Sequence, residues 1–149
     1  MERRGDEREK PKAAGPEVVE PAASEPDLLA ADLDDRMFEV LFLEGILPEL
    51  PEWTELLTVL AEGYTAVGQY EKGLELDRRL ARLKPRSPVV HYNLACSLSL
   101  VGAADESLEA LVRAIHLGYN DFDHMRVDPD LENVRRDPRF EMILKDAPE

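Results

Sequence analysis

Apolar residues take on a regular spacing only from Leu28, Leu29 and Leu33 onward, which the pattern reads as the start of a leading helix. From about Asp34 to Leu47 the apolar positions crowd all round a helical axis: Met37, Phe38, Val40, Leu41, Phe42, Leu43, Ile46 and Leu47. A helix of that kind needs cover on every side. Leu57, Leu60, Ala61 and Tyr64 then recur at helical spacing up to Gly68, and Leu74, Leu80 and Leu83 up to Pro85. Ser87-Pro88 predicts a helix start, with a serine N-cap and a proline in the first turn, where no amide donor is needed. Leu94, Ala95, Leu98 and Val101 lead to Gly102, and Leu108, Leu111, Ala114, Ile115 and Leu117 lead to Gly118. Glycine ends helices because it adopts the left-handed C′ conformation at little cost. Strand signals are nearly absent, so the expected fold class is all-α.

The pattern also repeats. A shift of 34 residues lays Leu60 on Leu94, Ala61 on Ala95, Tyr64 on Leu98, Gly68 on Gly102, Leu74 on Leu108 and Leu83 on Leu117. Read backwards, Pro85 falls on Pro51, Leu74 on Val40 and Leu80 on Ile46. The shared register of Leu94 and Leu60 predicts that both lie in the core. The chain then divides into a leading helix or partial repeat at 28–50, one unit at 51–86, a second at 87–119 and a closing helical segment at 120–149. An ungapped period of this length belongs to helix-pair repeats.

At these residues the sequence resembles the tetratricopeptide repeat (TPR) family. Leu60-Ala61, Tyr64, Gly68, Gly73 and Pro85 match the family pattern in one unit, and Leu94-Ala95, Leu98, Gly102, Ser107 and Ala114 in the next. The small residues let paired helices approach closely. Asp77 departs from it, standing where the family has a large apolar residue, and Leu80 stands where it has alanine. The closing stretch, with Asp128-Pro129 and Asp137-Pro138 as helix starts, is similar to the end segment of bacterial TPR proteins. Leu131, Val134, Phe140, Ile143 and Leu144 would cover the last hairpin there. The resemblance implies a right-handed α-solenoid of TPR hairpins with a C-terminal helical cap, since an unpaired repeat face is sticky.

Composition narrows the function. Residues 1–27 are charged, rich in proline and alanine and poor in large apolar groups, as expected of a disordered tail. The net charge of −14 argues against nucleic acid and against an anionic membrane. Solubility accounts for the excess acid, and a basic partner surface is the sharper reading. The single cysteine, Cys96, allows no internal disulfide, and neither a signal peptide nor a spanning segment is read, so the expected location is cytoplasmic.

No constellation demands catalysis, a metal or a cofactor. Asp121, Asp123 and Glu132 match three calcium-loop positions, but Met125 and Arg126 occupy places that need an oxygen ligand and a glycine. His91, His116 and His124 form no i, i+4 pair and none lies at ligand spacing from Cys96. Cys96 has no cationic neighbour in sequence and reads as an inert thiol. Arg78, Arg79, Arg82, Lys84 and Arg86 form a basic cluster that suits a helix C-terminus or an acidic docking peptide.

The resemblance implies a protein-binding adaptor or scaffold, not an enzyme, with a protein or peptide in the concave groove of the first helices. Matching positions are Glu55, Thr58, Val59 and Glu62 in one unit, and Val89, Tyr92, Asn93, Cys96 and Ser99 in the next. Tyr92 and Asn93 are the expected anchor. Of the family's carboxylate clamp only Asn93 is matched, and Glu62 would repel a carboxylate. A second expected surface is Met37, Phe38, Leu41 and Phe42, covered either by Leu28, Leu29 and Leu33 folding back or by another chain. A homodimer through it would present the same helix from both subunits.

Overall fold

Helix ends fall where glycine, proline and capping side chains stand. The computed structural model describes the backbone from Glu25 to Pro148 and side chains from Asp34. Among the described residues the chain is all-helical. It runs α1 (Glu25–Ile46), a 3-10 turn (Leu47–Glu49), α2 (Thr54–Ala66), α3 (Tyr70–Leu83), α4 (Pro88–Leu100) and α5 (Ala104–His116). α6 (Phe122–Val127), a second 3-10 turn (Pro129–Leu131), α7 (Glu132–Arg135) and α8 (Pro138–Lys145) follow. Most of the expected tail, residues 1–24, lies outside the described residues, and Glu25–Asp27 belong to α1. The side chains of Leu28, Leu29 and Leu33 also lie outside them, and with them the expected fold-back. The packing below is that of the unit beginning at Arg36.

The period of 34 residues recurs in the helix bounds. α2 and α4 begin at Thr54 and Pro88 and end at Ala66 and Leu100, while α3 and α5 begin at Tyr70 and Ala104. α6 and α8 begin at Phe122 and Pro138, the same step beyond α4 and α5. The closing segment therefore keeps the register, with its first helix broken into α6, a 3-10 turn and α7. Pro129 explains the break. Proline has no amide donor and forces the preceding residue out of the helical region, and Asp128 is extended at φ −65°, ψ 118°. The side chains of Asp128 and Asp137 cap the elements that follow, as the two Asp-Pro pairs predict. Ser87 likewise accepts from the Val90 amide.

The chain reverses in the same way after α2, α4 and α5. Gly68, Gly102 and Gly118 take φ of 83°, 87° and 118°. The residue after each glycine donates back to a carbonyl five residues earlier: Gln69 to Tyr64, Ala103 to Leu98 and Tyr119 to Ala114. This paired pattern satisfies carbonyls that a helix end leaves orphaned.

Small residues set how closely the helices pair. A Cβ on Gly73 would stand 3.3 Å from the Ala61 carbonyl oxygen and 3.2 Å from Thr65 Oγ1. At the corresponding crossing in the next pair, Ser107 Oγ donates to the Ala95 carbonyl at 2.7 Å. Gly63 gives room to Val40 of α1, whose Cγ2 would lie 2.8 Å from an added Cβ.

Two apolar clusters form the core. Val40, Leu57, Leu60, Ala61, Tyr64, Leu76 and Leu80 make the first. The second joins Leu74, Ala95, Leu98, Leu108, Leu111, Ala114 and Ile115 to Met125, Leu131, Val134, Phe140 and Leu144 of the closing segment. Leu94 departs from its expected core place. It is half-buried at the edge of the second cluster, whereas Leu60 is fully buried in the first. Register alone does not decide burial, because the elements covering the two positions differ.

Leu60→Ala should therefore cost about 2–5 kcal/mol, and Leu94→Ala distinctly less, as measured by urea unfolding. Gly63→Ala should cost about 1–3 kcal/mol through overpacking against Val40. Val40→Ala added to Gly63→Ala should cost less than the two separate losses combined, and strict additivity would exclude their contact.

Candidate functional site

α3 packs against both α2 and α4, and the two first helices together wall a pocket of about 330 Å³. α2 supplies Thr58, Ala61, Glu62, Thr65 and Ala66; α3 supplies Asp77; α4 supplies Tyr92, Asn93, Cys96 and Ser97. His124 of α6 and then Asp128 and Asp130 complete the lining. Four carboxyl groups thus share the space with one imidazole.

Asp128 organises one wall. Its Oδ2 accepts from Tyr92 Oη at 2.6 Å and from Cys96 Sγ at 3.7 Å, and lies 3.2 Å from His124 Nε2. Its Oδ1 caps the Asp130 amide at 3.0 Å. Arg135 donates to the backbone carbonyls of Met125 and Asp128, fixing the turn from behind. The Tyr92 ring stacks on Tyr119 with centroids 4.2 Å apart. Burial, followed by the hydrogen bond to Asp128, pushes the Tyr92 hydroxyl upward. Burial, followed by the charges of Asp128 and Asp130, pushes the Cys96 thiol upward as well. A thiol so held is a poor nucleophile.

Asp77 lies on another wall and is only 5% exposed. It accepts from Ser97 Oγ through Oδ2, and its other oxygen has no hydrogen bond among the described residues. Burial raises its pKa to about 7, the Ser97 bond opposes the rise, and the charge of Glu62 adds to it. Burial also raises Asp130, as does the neighbouring Asp128, against the influence of His124.

Of the expected groove residues, Thr58, Glu62, Tyr92, Asn93 and Cys96 line this pocket. Glu55, Val59 and Val89 are exposed outside it. Ser99 is fully buried and cannot touch a partner, because the closing segment covers that face of α4: Asn133 Nδ2 donates to its carbonyl at 2.8 Å. Tyr92 is likewise buried, stacked and hydrogen-bonded, so it builds the wall and is not a free aromatic anchor. Asn93 is half-buried, with its side-chain amide making no hydrogen bond among the described residues. Asp77, His124, Asp128 and Asp130 are the ionisable lining residues missed from sequence. Asp77 was visible as an acid in an apolar register position, but an Asp-Pro cap, the acid two residues after it and a lone histidine carried no such signal.

The fold also gathers the ligand atoms of Cys96, Asp128 and Asp130 within 4.8 Å of one another. The raised thiol and the bonds already held by Asp128 weigh against a metal there. The calcium-like set is dispersed: Asp121 caps α6 and Glu132 pairs with Arg136. In the basic cluster Arg78 pairs with Glu106 and Arg79 reaches the Pro51 carbonyl, while Arg82, Lys84 and Arg86 are exposed. Phe38, Leu41 and Phe42 are 72%, 59% and 61% exposed, and Met37 is partly buried. Val40, opposite them, is buried against α2. No helix among the described residues is long and apolar enough to cross a membrane.

The chain is similar to a chloroplastic protein of Arabidopsis thaliana, with 37% identity over 91 residues. The match covers 58% of this chain and 27% of that protein. No family model and no solved structure matches the chain.

The buried Asp77 carboxyl gives a signed pH dependence. Its folded pKa of about 7 exceeds the ordinary 3.8, so the folded state holds the proton more tightly. The resulting stability is complete below about pH 4 and is lost as pH rises through about 7. Asp77→Asn, still able to accept from Ser97, should match wild type near pH 4. At pH 8 it should be more stable by about 1–3 kcal/mol, read from thermal melts across pH. An equal offset at both pH values would contradict the assignment.

Proposed function

We propose that the chain is a TPR-type helical-repeat module that binds a protein or peptide partner along its first helices. The observation that carries this reading is the pocket drawn from both α2 and α4, the first helices of pairs set 34 residues apart, with Thr58 and Tyr92, and Glu62 and Cys96, at matching positions. The register of α6–α8 and the burial of Leu131, Val134, Phe140 and Leu144 support a solenoid closed by a helical cap. The unbonded amide of Asn93 and the Thr58 hydroxyl, which donates to the Thr54 carbonyl and can still accept, offer a partner polar contacts. The site supplies recognition chemistry, with a suppressed thiol in place of an activated one. A reducing compartment such as the cytoplasm suits the lone buried cysteine.

The exposed Phe38, Leu41 and Phe42 favour a second reading, self-association through α1. Wild type should then sediment as a dimer, and Phe38→Glu with Phe42→Glu as a monomer. A wild type monomeric at high concentration would remove this reading.

For the groove, a partner captured from the native organism should bind Thr58→Ala with Asn93→Ala at least tenfold more weakly, about 1.4 kcal/mol. Arg78→Glu with Arg82→Glu should leave its affinity unchanged. Loss confined to the arginine pair would move the site to the basic cluster.

A further inference from the structure

The pocket has an excess of negative charge that the chain itself does not neutralise. Glu62, Asp77, Asp128 and Asp130 line it. Among the described residues no lysine or arginine pairs with any of the four, and His124 touches Asp128 alone. Arg135, behind the wall, donates to the backbone carbonyls of Met125 and Asp128 and not to a lining carboxylate. Acids on a surface are ordinary, but Asp77 is not on the surface. It is 5% exposed, lines the pocket and accepts from Ser97 through one oxygen, while the other, unbonded among the described residues, stays open to solvent in the pocket. A buried carboxylate without a counter-charge is costly, and a cation supplied from outside would offset that cost.

We propose that this pocket takes the cationic side chain of an arginine or lysine carried by the partner segment. The inference rests on the groove reading above and names the partner's chemistry. The size fits one long side chain, since about 330 Å³ is at the lower end of ligand-sized cavities. Asn93 and the Thr58 hydroxyl, the latter as an acceptor only, line the same pocket as the acids and can hold the peptide backbone that carries the cation. A charge-assisted hydrogen bond from the incoming group to the open oxygen of Asp77 replaces a weaker one to water. Binding therefore strengthens as pH rises through neutrality, where Asp77 loses its proton. The polar and charged groups that share the pocket with Asp77 are Glu62 from α2, Ser97, Cys96 and Tyr92 from α4, and His124, Asp128 and Asp130 from the closing segment.

The test is an amide NMR titration of the full chain at pH 7.5, in EDTA and about 0.15 M salt, where long-range charge is screened. The probe is a short glycine–serine peptide with one central arginine, acetylated and amidated, beside its twin carrying neutral citrulline. The arginine peptide should shift Thr58, Glu62 and Asn93 and saturate, and the citrulline twin should bind at least tenfold more weakly. Asp77→Asn with Glu62→Gln should lose at least tenfold, while Glu71→Gln with Glu75→Gln, exposed acids of α3 outside the pocket, should stay within twofold. Equal binding of the two peptides, or equal loss in both pairs of variants, would overturn the proposal, the latter by showing diffuse charge attraction. Binding that appears only when zinc chloride replaces EDTA would overturn it in favour of a metal at Cys96, Asp128 and Asp130. If the arginine peptide fails while a captured partner still depends on Thr58 and Asn93, the cation proposal falls and the groove reading stands. If neither depends on the pocket, both fall.

Discussion

The distance at which two helix backbones cross governs most of this structure. α2 meets α3 where Gly73 faces the Ala61 carbonyl, and α4 meets α5 where Ser107 donates to the Ala95 carbonyl. Larger side chains at those points would push the helices apart, and dispersion contacts fall away steeply with separation. The glycine reversals between the helices reinforce the same geometry, since each returns the chain with two carbonyls satisfied. Close pairing in turn lets α3 lie against both α2 and α4, which leaves the two first helices flanking one pocket.

The broken closing segment gives that pocket its chemistry. An unbroken helix after Phe122 would carry its side chains past α4 at regular spacing. Pro129 stops it instead and leaves Asp128 extended, with its carboxyl group against Tyr92 and Cys96. The same break brings Asn133 over Ser99 and closes that end of the face. One proline thus connects a backbone constraint to a pocket wall, and the wall to an excess of buried acid.

The hairpins were legible in the sequence because each depends on local signals at a fixed step: Gly68 with Gly102, Ala61 with Ala95, Gly73 with Ser107. Part of the pocket, through Thr58, Glu62, Tyr92, Asn93 and Cys96, was anticipated by the family resemblance, which places a groove along the first helices. What escaped depends on tertiary cover. Leu94 shares a register with Leu60 but not its neighbours. Ser99 and Tyr92 read as open groove positions until the closing segment lies over them. Asp128 reads as a helix cap, which it is, and nothing local reveals that its second oxygen serves Tyr92 and Cys96. Asp77 stood out as a departure from the repeat pattern, and such departures are where function or strain tends to sit.

Amide NMR mapping of a natural partner, captured from the native organism and bound to the labelled full chain, tests the central claim most directly. The account predicts the largest changes at Thr58, Glu62, Asp77 and Asn93, around the acid-lined pocket. Changes confined to Phe38 and Phe42, or to Arg78 and Arg82, with the pocket unmoved, would contradict it.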